Sequence, residues 1–541
     1  MSPPGRPKGE YRSAQHEGTP VSPPGRPKGE YRSAQHEGTP VSPRSVLLVN
    51  PRITSNARFP LAVMGLAAAL QGRYGARIID GNVDRAFVAT TAAAVRSGGF
   101  DAVGISVMGG PQLLTGIEVS KAVREAAPAV PIIWGGYFAT LCPDAALASA
   151  YVDQVIRGPG EATLPELLDA LGAGRSQDLH AIDGLSWRQA GRVVHNRDRA
   201  FSSTGLTATL CHDALDKPQQ YLSKTYLGRR TTGYQAALGC RYRCTFCGVA
   251  AMFKGKTALP PAERLEQDLQ LLKTRFGADS IQFYDHNFFD REVDMVPLLE
   301  VLARHQMPWW CYARADALAD LSEDSWALVR QSGLRMAYIG AESPSDQVLH
   351  ELRKGTRADQ TLAAVEQCRR HGVIPELSFM LAPPHDPEAE TERTFAFIRR
   401  IKRIHPATEI MLHIHTPLPP RRHGGGPPGP RAAAPLRDCA GAVVSYPDSA
   451  DGWAAAQWVD YWCHRDAPWV SARLRQRIRD FTTVLGCRFP TITDTKVPAW
   501  QKSALRTSAA WRYRLQRYDR PWELDLLRRL VRLWDPQVSS L

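Results

Sequence analysis

Long apolar runs are missing from this chain. Nowhere in its 541 residues do ~18 consecutive apolar residues occur, the length a membrane-spanning helix needs, and residues 1–44 hold no apolar stretch of the kind a secretory signal carries. Cysteine is scarce as well. Ten cysteines are too few for a disulfide scaffold, so the expected setting is a reducing cytoplasm, where clustered thiols serve as metal ligands more often than as disulfides. None of the Gly-rich loops that end the early strands, at 106–110, 135–137 and 158–161, is a GxGxxG or Walker loop, which disfavours a dinucleotide or a nucleoside triphosphate. Acidic residues are short only at the ends. The net charge of +13 gathers mostly in residues 465–541, which hold 16 Lys or Arg against seven acids. No nucleic-acid-binding motif accompanies that excess, so it reads as a solvated, Arg-rich helical surface, with nucleic acid disfavoured as a partner. At 43% hydrophobic and 22% charged, the composition is that of an ordinary globular protein, long enough for three or four domains.

What is present begins with a repeat: SPPGRPKGEYRSAQHEGTPV occupies residues 2–21 and recurs unchanged at 22–41. Two polar copies have no apolar face with which to stack. Residues 1–44 therefore read as a disordered tail, or an artefact of the gene, with no function assigned. Deleting them is expected to leave melting temperature and cofactor content unchanged; a large drop in melting temperature would refute that reading. From residue 45 strand and helix signals alternate, with SVLLVNP, ARIID, DAVGISVMGG, VPIIWGG and VDQVIRGPGE as strands. That order predicts an α/β domain over 45–200, a doubly wound parallel sheet with ligands beyond the carboxyl ends of its strands. Gly-rich loops at 106–110, 135–137 and 158–161 end three of those strands.

A linker, 201–230, leads to a second α/β stretch, 231–416, in which TTGYQAALG, SIQFYD, PWWCYA, RMAYIG, IPELSFML and EIMLHIH are strands separated by helices. Six repeats make a partial barrel, short of the eight of a full one and open to a large substrate. Residues 417–451 form an irregular Pro/Gly/Arg-rich loop. Residues 452–541 read as helical and rich in Trp and Arg.

The chemistry concentrates in Cys240-Arg-Tyr-Arg-Cys244-Thr-Phe246-Cys247, directly after the first barrel strand. A structural zinc site takes four ligands, and no second cysteine pair lies nearby. Three thiolates on one loop suit a cubane iron–sulfur cluster with one iron left open to a ligand. His413 and His415 share one face of the last strand. They are either interior histidines or two ligands of a metal site whose third ligand is not evident. Cys311 and Cys368 read as packed apolar residues.

CRYRCTFC resembles the cluster loop of radical S-adenosylmethionine (SAM) enzymes, and the matching stretches LLVNP, GISVMGG, IIWGGYFAT and VIRGPGEAT resemble the cobalamin-binding domain that precedes the barrel in one large subclass. The resemblance implies a partial (βα)6 TIM-like barrel after a Rossmann-like cobalamin domain. It implies three cofactors: a 4Fe-4S cluster on Cys240, Cys244 and Cys247, SAM chelated by the open iron, and cobalamin. Phe246 matches the family aromatic near the adenine, and Glu342, in YIGAES, matches the carboxylate near SAM. The family's Gly-Gly-Glu triplet is absent, and Asp285 of FYDHNFF stands in for it, with His286 expected on the opposite side. Arg314 and Ser378 complete the expected SAM set. Ser106, Gly135, Gly136, Gly158 and Glu161 are the expected cobalamin contacts. The motif Asp-x-His-x-x-Gly that supplies a histidine to cobalt is absent, as is common in this subclass.

By the same resemblance, the chain is expected to be a methyltransferase acting on an unactivated carbon of a small-molecule, secondary-metabolite intermediate, reduced by a flavodoxin or ferredoxin. The alternatives are a tetrapyrrole-cyclase-like ring-forming enzyme and a non-catalytic cobalamin or redox sensor. Where relatives continue from TPLPGT into helix, this chain has TPLPPRRHGGGPPGPR, a divergent loop or a local frame error in the gene. A verified uninterrupted frame would exclude the latter.

Overall fold

A computed structural model describes residues 44–53, 57–174, 176–203, 209–419, 435–493 and 496–531. The repeated segment at 2–41 and most of the Pro/Gly/Arg run, 420–434, lie outside them. Five strands of the first sheet are parallel: β1 (Ser45–Asn50), β2 (Gly75–Asp80), β3 (Ala102–Ser106), β4 (Ile132–Gly135) and β5 (Gln154–Ile156), in the order β2-β1-β3-β4-β5. Helices cover both faces of a doubly wound sheet, so its central strands must be apolar on both sides. Val46, Leu47, Leu48 and Val49 are all fully buried.

Two further strands depart from the all-parallel expectation. β6 (Leu185–Gln189) and β7 (Arg192–His195) extend the sheet antiparallel beyond β5. They are joined by Ala190 and Gly191, both at positive φ (48° and 79°), the geometry that lets a two-residue turn match strand twist.

The second sheet holds six parallel strands in the order β15-β14-β13-β12-β11-β8. They are β8 (Thr231–Tyr234), β11 (Ser280–Phe283), β12 (Trp309–Arg314), β13 (Leu334–Glu342), β14 (Ile374–Leu381) and β15 (Glu409–Ile414). Between β8 and β11, the two-residue strands β9 (Leu238–Gly239) and β10 (Thr257–Ala258) pair antiparallel and close the loop that carries the three cysteines. Side-chain alternation sorts each barrel strand into two faces. In β11, Ile281 and Phe283 are fully buried in the main core. On β12 and β13, by contrast, Trp310, Tyr312 and Tyr338 gather into a separate aromatic group, with ring centroids 4.7–6.2 Å apart, joined by Tyr284 just beyond β11. That group packs apart from the main core.

Helices of the C-terminal region pack onto the barrel. Phe481, in the helix Ala472–Arg488, stacks on Phe395 at 3.7 Å, and the Trp469 indole donates to the Ala382 carbonyl at 2.9 Å. No helix among the described residues is long and apolar enough to cross a membrane.

Candidate functional site

At the carboxyl edge of the first sheet, a cavity of about 270 Å³ opens toward the barrel. Ser106, Gly135, Gly136, Gly158 and Glu161 all line it, and Tyr234, Leu238, Phe253 and His286 form its barrel-side wall. The two central glycines do different work. Gly136 turns β4 into the helix Tyr137–Leu141 at φ +91°, and a Cβ there would lie 2.8 Å from the Val107 carbonyl oxygen. The backbone itself requires that glycine. Gly135 is open instead: the nearest atom to a Cβ there is the Ile156 carbonyl oxygen, at 4.0 Å. Glu161 points an orphan at the site, since its Oε2 is buried without a hydrogen-bond partner, and burial raises its carboxyl to about 6. A largely apolar wall, one bare glycine face and an unpartnered carboxyl oxygen suit a large ring ligand edged with amide donors. A corrin is such a ligand.

The cysteine loop is held at several points. Gly239 N–H donates to His286 Nδ1 at 3.0 Å, Thr245 N–H to the Leu352 carbonyl at 3.0 Å, and the Arg314 guanidinium lies 3.4 Å from the centre of the Tyr242 ring. Cys240, Cys244 and Cys247 are free thiols. Burial pushes the Cys247 thiol up to about 11, and the neighbouring Cys244 and Cys240 add to the rise. Among the described residues no group of three or more His, Cys, Asp or Glu converges on a single-ion site. Three thiols along one clamped loop fit a multi-iron cluster better than a mononuclear metal.

Beside the loop lies a buried ion pair. Lys354 Nζ donates to Glu342 Oε1 at 2.7 Å and sits 5.8 Å from the Phe246 ring centre. Glu342 takes φ +59° where the β13–β14 register shifts, a bend that re-aims its side chain. Lys354 was not among the sequence candidates. The signal available was a lysine in LRKG, a short turn otherwise made to be exposed, yet Lys354 is buried. Arg314 donates to Asp316 and to the Lys354 carbonyl, so it braces the turn and the cysteine loop. Ser378 is buried.

Asp285 is placed differently from the expectation. Its carboxylate is buried and accepts the backbone N–H groups of Ala236 (3.0 Å) and Ala237 (2.6 Å), tying β11 to the segment after β8. It shares the core-facing parity of Ile281 and Phe283, so His286, with the parity of Tyr284, is the side chain that reaches the cavity. The two side chains point to opposite sides, as strand alternation predicts, with His286 on the side of the sheet-edge cavity. Asp285→Asn turns an amide NH₂ toward one of two backbone donors and is expected to cost ~1–3 kcal/mol of stability, with SAM affinity changed less than twofold. A tenfold loss of SAM affinity at unchanged melting temperature would contradict this.

His286 has a defined tautomer. Nδ1 accepts from Gly239, so Nε2 carries the proton and donates to the Tyr137 oxygen at 3.1 Å; burial lowers its pKa to about 4, keeping it neutral. His413 and His415 are half-buried, and a third histidine, His464, lies with its ring 6.3 Å from that of His413. Tyr338 OH and His413 Nε2 are 3.2 Å apart. Burial lowers all three to about 4, from an ordinary value near 6.5. Such groups stabilise the fold fully above pH 6.5, and that contribution is lost as pH falls through 4. It amounts to roughly 3 kcal/mol per histidine at most. Melting temperature is therefore expected to fall steeply between pH 6.5 and 4, and a flat profile over that range would show these histidines to be solvated.

Comparison with known proteins bears on both halves. A B12-binding domain model matches residues 57–168 and a Radical SAM superfamily model matches residues 234–398. An uncharacterized methyltransferase of Pyrococcus horikoshii, PH0819, is 24% identical over 367 residues, 66% of this chain and 78% of the relative. An anaerobic magnesium-protoporphyrin IX monomethyl ester cyclase of Synechocystis sp. is 23% identical over 256 residues, and the match spans about half of that protein's length (50%). Among solved structures, the radical SAM methyltransferase TsrM of Kitasatospora setae, with cobalamin and a [4Fe-4S] cluster bound, superposes with a TM-score of 0.57 at 16% identity, over 91% of this chain and 99% of that one. At that identity the likeness speaks for the fold. The two family models fall on the segments that build the sheet-edge cavity and the cysteine loop, and the chain belongs to the cobalamin-dependent radical SAM enzymes, with cobalamin, SAM and a 4Fe-4S cluster as cofactors.

Proposed function

We propose that this enzyme transfers a methyl group from SAM to an unactivated carbon of a small-molecule biosynthetic intermediate. The observation that carries this reading is the junction at Tyr137. Its side chain lines the sheet-edge cavity, its hydroxyl meets His286, and its ring packs so closely on residue 248 that a Cβ there would lie 2.9 Å away. Residue 248 follows Cys247 directly. The cavity fitted to cobalamin and the loop fitted to the cluster therefore share one wall, which is what a methyl transfer between two cofactors requires of its scaffold.

In this reading cobalamin supplies the methyl group and the cluster supplies the electron that opens the SAM sulfonium. Cys240, Cys244 and Cys247 hold the cluster, while Phe246, Glu342 and Lys354 border the place for SAM. Arg314 keeps the loop from shifting. Gly135 and Glu161 receive cobalamin. His286, fixed as the neutral Nε2–H tautomer, leaves the Tyr137 hydroxyl proton available as a donor at the junction. A small acidic electron carrier such as flavodoxin or ferredoxin fits as the reductant.

The relatedness to cyclases supports a second reading, ring formation with the same cofactors. The products of SAM separate the two. A reduced, reconstituted methyltransferase supplied with its acceptor forms S-adenosylhomocysteine alongside 5′-deoxyadenosine. A cyclase forms 5′-deoxyadenosine without S-adenosylhomocysteine, and that result would replace the methyltransferase reading.

A further inference from the structure

A second cavity, of about 200 Å³, lies where four parts of the chain meet: Tyr137 from the sheet edge, Phe246 and Val249 from the cysteine loop, Leu418 after the last barrel strand, and Trp462 and His464 from the C-terminal region. It shares Met108 and Tyr137 with the sheet-edge cavity, so it sits against the walls assigned to both cofactors.

Its chemistry is unusual for a site that handles metabolites. Among the described residues that line it there is no Asp, Glu, Lys or Arg. Flat aromatic faces come from Tyr137, Phe246, Tyr461 and Trp462. The polar groups are neutral and mostly engaged. The Tyr461 hydroxyl donates to the Pro417 carbonyl at 2.5 Å and lies 2.9 Å from the Tyr446 hydroxyl, and the Thr416 hydroxyl pairs with His464 Nδ1. Among the described residues, nothing in this wall compensates the desolvation of a phosphate or carboxylate. Stacked rings are accommodated.

The C-terminal wall is placed by a slot in the first sheet's edge. A Cβ on Gly109 would lie 1.8 Å from the Trp462 indole, and one on Gly110, at φ +70°, 2.8 Å from Cys463 Sγ. The Gly109–Gly110 pair, read from sequence as part of a ligand-binding strand end, instead receives Trp462 and Cys463 across some 350 residues of chain. His464 then adopts φ +54°, and its carbonyl accepts the Ile414 N–H at 2.7 Å, turning the segment onto β15. A left-handed histidine is a strained choice, held in place by the contacts on either side.

We propose that this second cavity is the substrate site, that residues 461–464 are its specificity wall, and that the group it admits is an uncharged ring system. The inference rests on the function proposed above, because it takes the space between the two cofactor walls as the place where the acceptor carbon lies. Equilibrium dialysis of the full chain, reconstituted anaerobically with cluster and cobalamin, tests it with two probes differing in charge, 2-naphthol and 2-naphthyl phosphate.

2-Naphthol is expected to bind at least tenfold more tightly than its phosphate ester. Gly109→Ala, which evicts the indole from its slot, and Leu418→Trp, which fills the cavity from the barrel side, are each expected to weaken 2-naphthol at least tenfold. SAM affinity and cobalamin content should stay within twofold of the native chain. Equal binding of the two probes overturns the proposal, as does 2-naphthol binding untouched by both variants. A parallel loss of SAM affinity in Leu418→Trp assigns the cavity to SAM and overturns it too. A chain that discriminates the probes as expected, yet forms no S-adenosylhomocysteine with any acceptor, keeps this site and loses only the methyltransferase reading.

Discussion

Replacing Cys240, Cys244 and Cys247 together by Ala is expected to take the reconstituted chain from about four irons and four sulfides to none, and to abolish SAM cleavage. The fold should survive. The loop's shape rests on contacts that do not involve sulfur: the β9–β10 pairing, the Thr245 N–H on the Leu352 carbonyl, the Arg314 guanidinium over Tyr242 and the Gly239 N–H on His286. Iron and sulfide analysis, the brown absorbance of the cluster and 5′-deoxyadenosine formation report the loss, and circular dichroism reports the retained fold. Persistence of the cluster in the triple variant would refute the assignment. Loss of the fold along with the cluster would show that the metal, rather than those four contacts, shapes the loop.

The second large effect concerns cobalamin, and it separates two adjacent glycines. Gly135→Phe is expected to reduce hydroxocobalamin uptake by the full chain at least tenfold, equivalent to about 1.4 kcal/mol or more of binding free energy. The new ring has nowhere to go but the sheet-edge cavity, since Gly135 faces open space. Gly136→Ala is expected to act on folding instead. Its Cβ meets the Val107 carbonyl oxygen at 2.8 Å on a backbone at φ +91°, so the β4-to-helix turn must shift. Soluble expression and melting temperature should fall for Gly136→Ala and hold for Gly135→Phe. Native cobalamin uptake by Gly135→Phe would place the cofactor elsewhere. A fully stable Gly136→Ala would show the turn to be more pliable than its geometry indicates.

Much of the architecture is legible in the chain because it depends on neighbours in sequence. The apolar run at 46–49 and its successors mark strands buried on two faces, and a parallel sheet brings its strand ends to one edge whatever the details of packing. That is why Ser106, Gly135, Gly136, Gly158 and Glu161, chosen from three separate loops, line a single cavity. The three cysteines and Phe246 sit within eight residues, so their proximity needs no tertiary information. The parity of Asp285 was also written in SIQFYDH: two apolar residues, Ile281 and Phe283, mark the core face, and Asp285 continues it.

Other features depended on how separate elements pack on one another, which no local pattern encodes. Glu342 and Lys354 become partners only because β13 bends and the following turn folds back over the cysteine loop. His464 joins His413, and Trp462 enters the slot at Gly109, through packing of the C-terminal helices against both the barrel and the first sheet. By itself the sequence determined the order of strands and helices, the edge at which ligands bind and the loop that bears the thiols, because period, turn chemistry and spacing are local. Tertiary structure alone decided which glycine is open and which is structural, and what closes the second cavity. Each of those turns on the direction of a Cα–Cβ bond relative to another segment of the chain.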